Sequence, residues 1–330
     1  MNDSLREKLK NSGIKFIRLL WCDNANVIRA KAAHVDFLDD CIDYGIGITV
    51  AQQALPVMAD VVAPDAGLMP VGEVRLMPDW STLTVLPYAK GHAQVLSDMI
   101  VGETGNVWEH CLREFLRRQT EKLAERDLTL KAAFENEFYL LYRNSEGALK
   151  PVDETIFSQA ASFVAGVLDH LPALAAVTIP SPNSYRRIRP HCWVGAFRVW
   201  GYQNREAVVR VCGNPKGSQA DRFEFKASDA SSNPYLALGA LIAAGLDGLE
   251  RNLELPAEVT VDPGHIPEEE RRARGIDLLP QNLSESLEAL RKDQVLLKAL
   301  GNDLARSFTA VRQAEWEALE DMSFSSVIML

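Results

Sequence analysis

Residues 234–249 are apolar on nearly every face of a helix. Asn233 followed by Pro234 supplies an N-cap and a first-turn proline, so a helix is expected to start there. A helix without a polar face is stable only where other elements cover it on all sides. Its most apolar part, Tyr235 to Gly245, is too short to cross a bilayer, which takes about 20 residues. The chain must therefore build a core large enough to surround this helix. Its 330 residues can do so: a chain of this length buries roughly three quarters of its unfolded surface, and about 150 residues per domain points to two domains or one large one.

Charge narrows the possible partners. The chain carries 35 Lys+Arg and 45 Asp+Glu, a formal charge of −10. Neutralising a phosphate backbone needs clustered basic residues. The densest basic run here, Arg271 to Arg274, follows Glu268-Glu269-Glu270, so no nucleic acid is expected as partner. Five scattered cysteines without a C-x-x-C suit a reducing compartment. The polar N-terminus does not read as a signal peptide. A cytoplasmic protein with no membrane partner is expected.

The first hundred residues read as a small mixed sheet with one helix across it. Strands are expected over 14–21 and 26–31, and a helix over 35–44 that stops at Gly45. A domain boundary is placed at the Gly102–Gly105 turn, giving domains 1–103 and 104–330. Beyond it, apolar spacing predicts a helix over 107–126, with Leu112, Phe115, Leu116 and Leu123 on one face. A strand over 130–142, a helix near 160–174, a basic loop over 183–190 and strands over 195–202, 205–211 and 222–227 follow. From Ser284 to about Asp321 the chain is charged and helical in pattern.

Two strands carry unusual charge. In Phe134-Glu135-Asn136-Glu137-Phe138 the two acids are two apart, so on a strand they share a face. Neighbouring carboxylates repel unless a proton or cation joins them. Their oxygens suit Mg²⁺ or Mn²⁺ better than Zn²⁺, although a solvated strand edge has the same pattern. In Arg222-Phe223-Glu224-Phe225-Lys226 the charged residues share the face opposite the phenylalanines, as they would on any amphipathic strand. Arg186, Arg187, Arg205 and Arg210 are placed where arginines could clamp a carboxylate or phosphate, or serve as surface charges. No phosphate-binding glycine loop, G-x-S-x-G or H-E-x-x-H occurs, and the six histidines form no cluster along the chain.

The order of these motifs resembles the glutamine synthetase family. Met77 to Leu83 with Leu86-Pro87-Tyr88 is similar to the end of its N-terminal β-grasp domain. Phe134 to Phe138 resembles its first metal-binding strand. Pro182 to Arg187 with Trp200 to Arg205 resembles its substrate and phosphate region. Arg222 to Lys226 and Asp229 to Gly248 resemble its last catalytic strand and long buried helix. The resemblance implies an α+β fold: a small β-grasp-like domain, then a catalytic domain of antiparallel sheet or partial barrel with helices. It also implies an ATP-dependent carboxylate–amine ligase, in which glutamate is activated as γ-glutamyl phosphate and then attacked by ammonia or another amine. ATP and Mg²⁺ or Mn²⁺ would be the cofactors. By similarity Glu135, Glu137 and Glu224 ligate metal. Arg205 stabilises the transferring phosphoryl group, and Arg210 and Arg222 contact nucleotide phosphates. Asn183, Arg187 and Lys226 bind the amino-acid substrate.

Departures from the family pattern refine that picture. Trp193 stands where the family's flap glutamate helps to capture ammonium, and Thr49 where its ammonium-site aspartate lies. An aromatic there suits a larger or more apolar amine, as in the γ-glutamyl-amine ligase branch. Between the Glu135/Glu137 strand and Asn183 the chain is shorter than the family's, with the join near 156–161. Two metal-ligating glutamates and a histidine of the family fall in the missing stretch. The alternative to an active ligase is thus a catalytically impaired member that holds nucleotide without turnover. An oligomer, with itself or with a full-length family member, is the partner the family suggests.

Overall fold

The computed structural model describes residues 11–58, 61–126, 161–213 and 220–322, together with 5, 7, 9, 128, 130, 132, 134, 142–143 and 149–150. Along the chain run β1 (Phe16–Cys22), β2 (Ile28–His34), α1 (Leu38–Tyr44), β3 (Ile46–Thr49), β4 (Glu73–Pro78), β5 (Thr84–Val85) and β6 (His92–Ile100). Then come α2 (Leu112–Ala124), β7 (Tyr142–Arg143), β8 (Leu149–Lys150), α3 (Ala161–Asp169) and α4 (Leu171–Thr178). Next are β9 (Phe197–Tyr202), β10 (Ala207–Gly213), β11 (Ala220–Phe225) and α5 (Pro234–Glu250). The described chain closes with α6 (Glu268–Ala273), α7 (Leu283–Lys292), α8 (Gln294–Leu300) and α9 (Asn302–Leu319). The fold is α+β. The chain divides into two compact units, residues 1–119 with 297–330, and residues 120–296.

In the first unit a mixed sheet runs in the order β2-β1-β6-β4-β3, with β5 beside β6. The central β1–β6 pair is parallel and the others are antiparallel. Alternate residues of β1 and β6 point inward, the period of a sheet with one face on a core. Ile17, Leu19, Val95 and Met99 pack there with Leu38 and Cys41 of α1. The helix expected over 35–44 forms as a 3₁₀ turn at 35–37 leading into α1, and Gly45 ends it at φ +63°.

The helix expected over 107–126 begins later, at Leu112. The backbone of residues 107–108 serves the sheet instead: Val107 bridges Ile100, and Trp108 N–H donates to the Met99 carbonyl at 2.8 Å. Apolar spacing alone does not register such a competing strand contact.

A second core in this unit joins Ala25, Ala54, Ala66 and Leu68 to Val311 of α9. Polar groups are buried beside it. Asn24 donates to Gln53 O at 2.8 Å and to Ser307 Oγ at 2.9 Å. His110 Nδ1 lies 2.8 Å from the same hydroxyl. Burial pushes the His110 imidazole down to about 4, against a smaller opposing pull from Asp303. The unfolded chain takes up this proton near pH 6.5, the folded one only near 4. His110 therefore contributes its full share of stability above pH 6.5 and loses it as the pH falls through 4, a swing of up to about 3 kcal/mol. Thermal melts are expected to show this acid loss in the wild type and a shallower one in His110→Gln.

In the second unit α5 is the buried helix read from residues 234–249. Asn233 caps it, its side chain accepting from the N–H groups of Tyr235 and Leu236. Leu236, Ile242 and Ala244 are fully enclosed. α3 crosses α5 so closely that a Cβ on Gly166 would overlap the Ala244 carbonyl and the Gly248 backbone. A Cβ on Gly248 would in turn overlap the Ser162 carbonyl. Glycine is present here because two helix backbones touch.

The single helix expected near 160–174 is two, α3 and α4, bent by 77°. Pro172, in the first turn of α4, has no N–H for the Leu168 carbonyl, so one helix cannot run through. At the corner His170 joins three elements: Nδ1 lies 2.6 Å from Asp293 and Nε2 3.0 Å from Asp247. Burial disfavours its charged form, but the two carboxylates outweigh that and hold its pKa above the ordinary histidine value. The helical stretch expected from Ser284 is divided among α7, α8 and α9. Asp293, which caps α8 through its carboxylate, makes the first break, and Gly301 at φ +87° makes the second. Among the described residues no single helix is long and apolar enough to cross a membrane.

Candidate active site

The strands expected over 195–202, 205–211 and 222–227 form a three-stranded sheet in the order β11-β10-β9. β10 and β11 are antiparallel, with Arg210 directly opposite Glu224. Phe223 lies on the other side of β11, its ring 6.1 Å from that of Phe163 on α3. The period of two thus sends Phe223 to α3 and Glu224 to the opposite face.

On the charged face Arg210 Nη1 lies 3.1 Å from Glu224 Oε2, and Lys226 Nζ lies 3.2 Å from Glu224 Oε1. Arg210 comes from the neighbouring strand and Lys226 from just past the end of β11. Burial pushes the Glu224 carboxyl up, but Lys226 and Arg210 outweigh it and hold the carboxyl below the usual carboxylate range. Glu224 is therefore an ionised carboxylate between two cations. Arg222 lies in β11, its backbone paired with that of Cys212; its side chain is outside the described residues. Glu135 and Glu137 also lie outside them.

The remaining expected residues sit on turns. Asn183 leads into a 3₁₀ turn, Ser184–Arg186, and its Oδ1 accepts from Arg186 Nε at 3.2 Å. Arg187 ends that turn and is exposed. Arg205 is exposed between β9 and β10. Trp193 is 67% exposed and has left-handed backbone, φ +57°. Thr49 closes β3 in the first unit.

Glu206 was not foreseen from the sequence. It is buried, and its Oε1 accepts the Trp193 N–H at 2.8 Å. Its own N–H donates to Asn204 Oδ1 at 3.0 Å, and Asn204 Nδ2 donates to the Val259 and Val261 carbonyls. The strained Trp193 backbone is thus tied to a buried carboxylate. Such a charge-assisted bond contributes about 1.5–3 kcal/mol. Glu206→Ala is expected to speed amide exchange at Trp193 by roughly tenfold or more, measured by hydrogen–deuterium exchange over 191–195. A single acid beside Arg205 carries no periodic signal, which is why sequence reading passed over it.

A small sheet that presents Arg210 and Lys226 on either side of Glu224 has the positive charge to hold an anionic group. The comparisons identify the lineage. The model of the glutamine synthetase catalytic domain matches residues 151–326, and that of the glutamine synthetase N-terminal domain matches residues 2–108. The chain belongs to the glutamine synthetase family.

By sequence it is 46% identical over 172 residues to a γ-glutamylpolyamine synthetase, GlnA3, of Streptomyces coelicolor. That stretch covers 52% of this chain and 37% of the relative. It is 37% identical over 176 residues to a glutamine synthetase of Methanocaldococcus jannaschii, covering 53% of this chain and 37% of the relative. The matched stretches span less than two fifths of these relatives' lengths. Among solved structures, a GmaS/ADP complex superposes with a TM-score of 0.74 at 18% identity, covering 98% of each chain. A novel glutamine synthase homolog gives 0.72 at 21%, covering 94% of this chain and 96% of its own. These likenesses establish the fold. The family read from the motifs agrees with the two family models, and its γ-glutamyl-amine ligase branch with the name of the Streptomyces coelicolor relative. Enzymes of the family use ATP and divalent metal ions, act on glutamate and amines, and commonly form oligomers.

Proposed function

We propose that this chain is an ATP-dependent ligase that joins glutamate to an amine larger than ammonia, with a polyamine as the leading candidate. The observation that carries the reading is the contact of Glu224 with both Arg210 and Lys226. Two cations held by one ionised carboxylate are suited to phosphate and carboxylate groups, which on binding would take over Arg210 and Lys226 and free the Glu224 oxygens for a hard divalent ion. The donor set, Glu224 with Glu135 and Glu137, fits Mg²⁺ or Mn²⁺, which when bound would offset the negative charge of the ATP phosphates.

The chain's own residues do the positioning. Arg210 and Arg222 hold the nucleotide phosphates. Asn183, Arg187 and Lys226 hold glutamate. A glutamate carboxylate oxygen attacks the γ-phosphorus and ADP leaves. Arg205 stabilises the charge that spreads over the transferring group. The amine nitrogen then attacks the acyl carbon, phosphate leaves, and the nitrogen gives up a proton. Trp193 replaces a carboxylate at the amine side, so an alkyl chain finds an apolar surface where ammonium would have found an anion. The names of the sequence relatives are those of ligases and favour turnover over the non-catalytic alternative.

The test is phosphate release by the purified chain with ATP, Mg²⁺, glutamate and a panel of amines. Polyamine is expected to give more phosphate than ammonium. Release no greater than that of Glu135→Ala would overturn the proposal. A homo-oligomer is proposed on the family's habit alone, and light scattering measures it.

A further inference from the structure

Within the second unit, His191 and His265 stack with ring centroids 4.7 Å apart. Both turn Nδ1 toward the same oxygen, Asp262 Oδ2, at 2.7 and 3.8 Å. The donor atoms of all three residues lie within 4.8 Å of one another. We propose that His191, Asp262 and His265 form a binding site for a divalent transition ion of the zinc type, and that the bound ion fastens the loop carrying Trp193. The proposal does not rest on the ligase reading.

Three observations carry it. The chemistry is right: two imidazoles and one carboxylate are the nitrogen–oxygen set that zinc and similar ions take, and not the all-oxygen set of Mg²⁺. The geometry is near. Ligands at about 2.0–2.2 Å in tetrahedral array stand roughly 3.3 Å apart, so the two Nδ1–Oδ2 separations reach it with shifts of about half an ångström each. Exposed rings can make such shifts. The site is also prearranged. Asp262 caps a 3₁₀ turn, Pro263–His265, by accepting the Gly264 N–H on Oδ1 at 2.7 Å, which leaves Oδ2 to face the histidines. Gly264 lies under the His191 ring, where a Cβ would come 2.5 Å from Cε1. Its backbone is not left-handed, and the missing Cβ leaves room for the imidazole in this position.

A second group, Asp169, His170 and Asp247, meets the same distance condition but is already served by a cation. The Arg251 guanidinium lies 2.7 Å from Asp169 and 2.8 Å from Asp247. Around Asp262, among the described residues, the ion pairs are with the two histidines only. The site also joins separate stretches of chain. His191, at φ +62°, belongs to the irregular run that includes Trp193, and Asp262 is 71 residues further on. A metal held by both would tie that run to the turn and steady the exposed indole.

The chelator-stripped chain is titrated with Zn²⁺ in excess Mg²⁺ by calorimetry, in parallel with His265→Ala and Asp262→Asn. The expected result is one Zn²⁺ per chain that each variant binds at least about tenfold more weakly. Zn²⁺ is also expected to slow amide exchange over 191–195 in the wild type and not in His265→Ala. Unchanged unfolding midpoints of the metal-free variants would show that they fold. Equal Zn²⁺ affinity in wild type and both variants, or no binding by the wild type, would overturn the site. Zn²⁺ binding without any change in exchange over 191–195 would overturn the fastening role.

Discussion

Arg312→Met is expected to destabilise the first unit by about 3–5 kcal/mol, the usual cost of removing one partner of a buried ion pair. Arg312 and Glu315 are each only 3% exposed and 2.9 Å apart, one turn apart on α9. Arg312 also donates to the Asn24 carbonyl and lies over the Phe308 ring. Without it, Glu315 keeps a single described partner, the Val57 N–H at 2.8 Å. Burial already pushes the Glu315 carboxyl above its ordinary value, against the pull of Arg312. Removing the arginine raises it further, so the variant should take up a proton on folding. Urea melts measure the loss. A double variant, Arg312→Met with Glu315→Leu, is expected to recover much of it because no uncompensated charge remains. Equal stability of wild type and Arg312→Met would show that the pair is solvated.

Glu224→Ala is expected to lower amine-dependent phosphate release by at least about a hundredfold, the scale of losing one group that stabilises developing charge. It also leaves Arg210 and Lys226 facing each other without their anion. A stability signature accompanies it. The folded pKa of Glu224 lies below its unfolded value, so its contribution is present above the unfolded value and is lost as the pH falls through the folded one. The midpoint difference between wild type and Glu224→Gln should therefore be clear at neutral pH and shrink below about pH 4.5. A turnover loss of only a few-fold would mean that the Arg210–Glu224–Lys226 cluster is structural.

What could be read from the sequence depended on distance along the chain. The buried helix at 234–249 was legible because its cap, its first-turn proline and its unbroken apolar surface are all local. The common face of Glu224 and Lys226 was legible because strand side chains alternate. Arg210 against Glu224 was not, since antiparallel register decides which residues meet across strands. The helix expected near 160–174 broke at Pro172. The start of α2 was misplaced because β6 claims the Trp108 N–H.

Local chemistry in the sequence thus determined the elements, the family and the charged strand, because caps, periodicity and motif order act over a few residues. Tertiary structure alone decided which charges meet. Glu206 under Trp193, Arg312 beside Asn24, and two histidines on Asp262 are contacts between distant segments. Such contacts form only when burial brings those segments together, and the cost of leaving a buried charge unpaired then selects its partner.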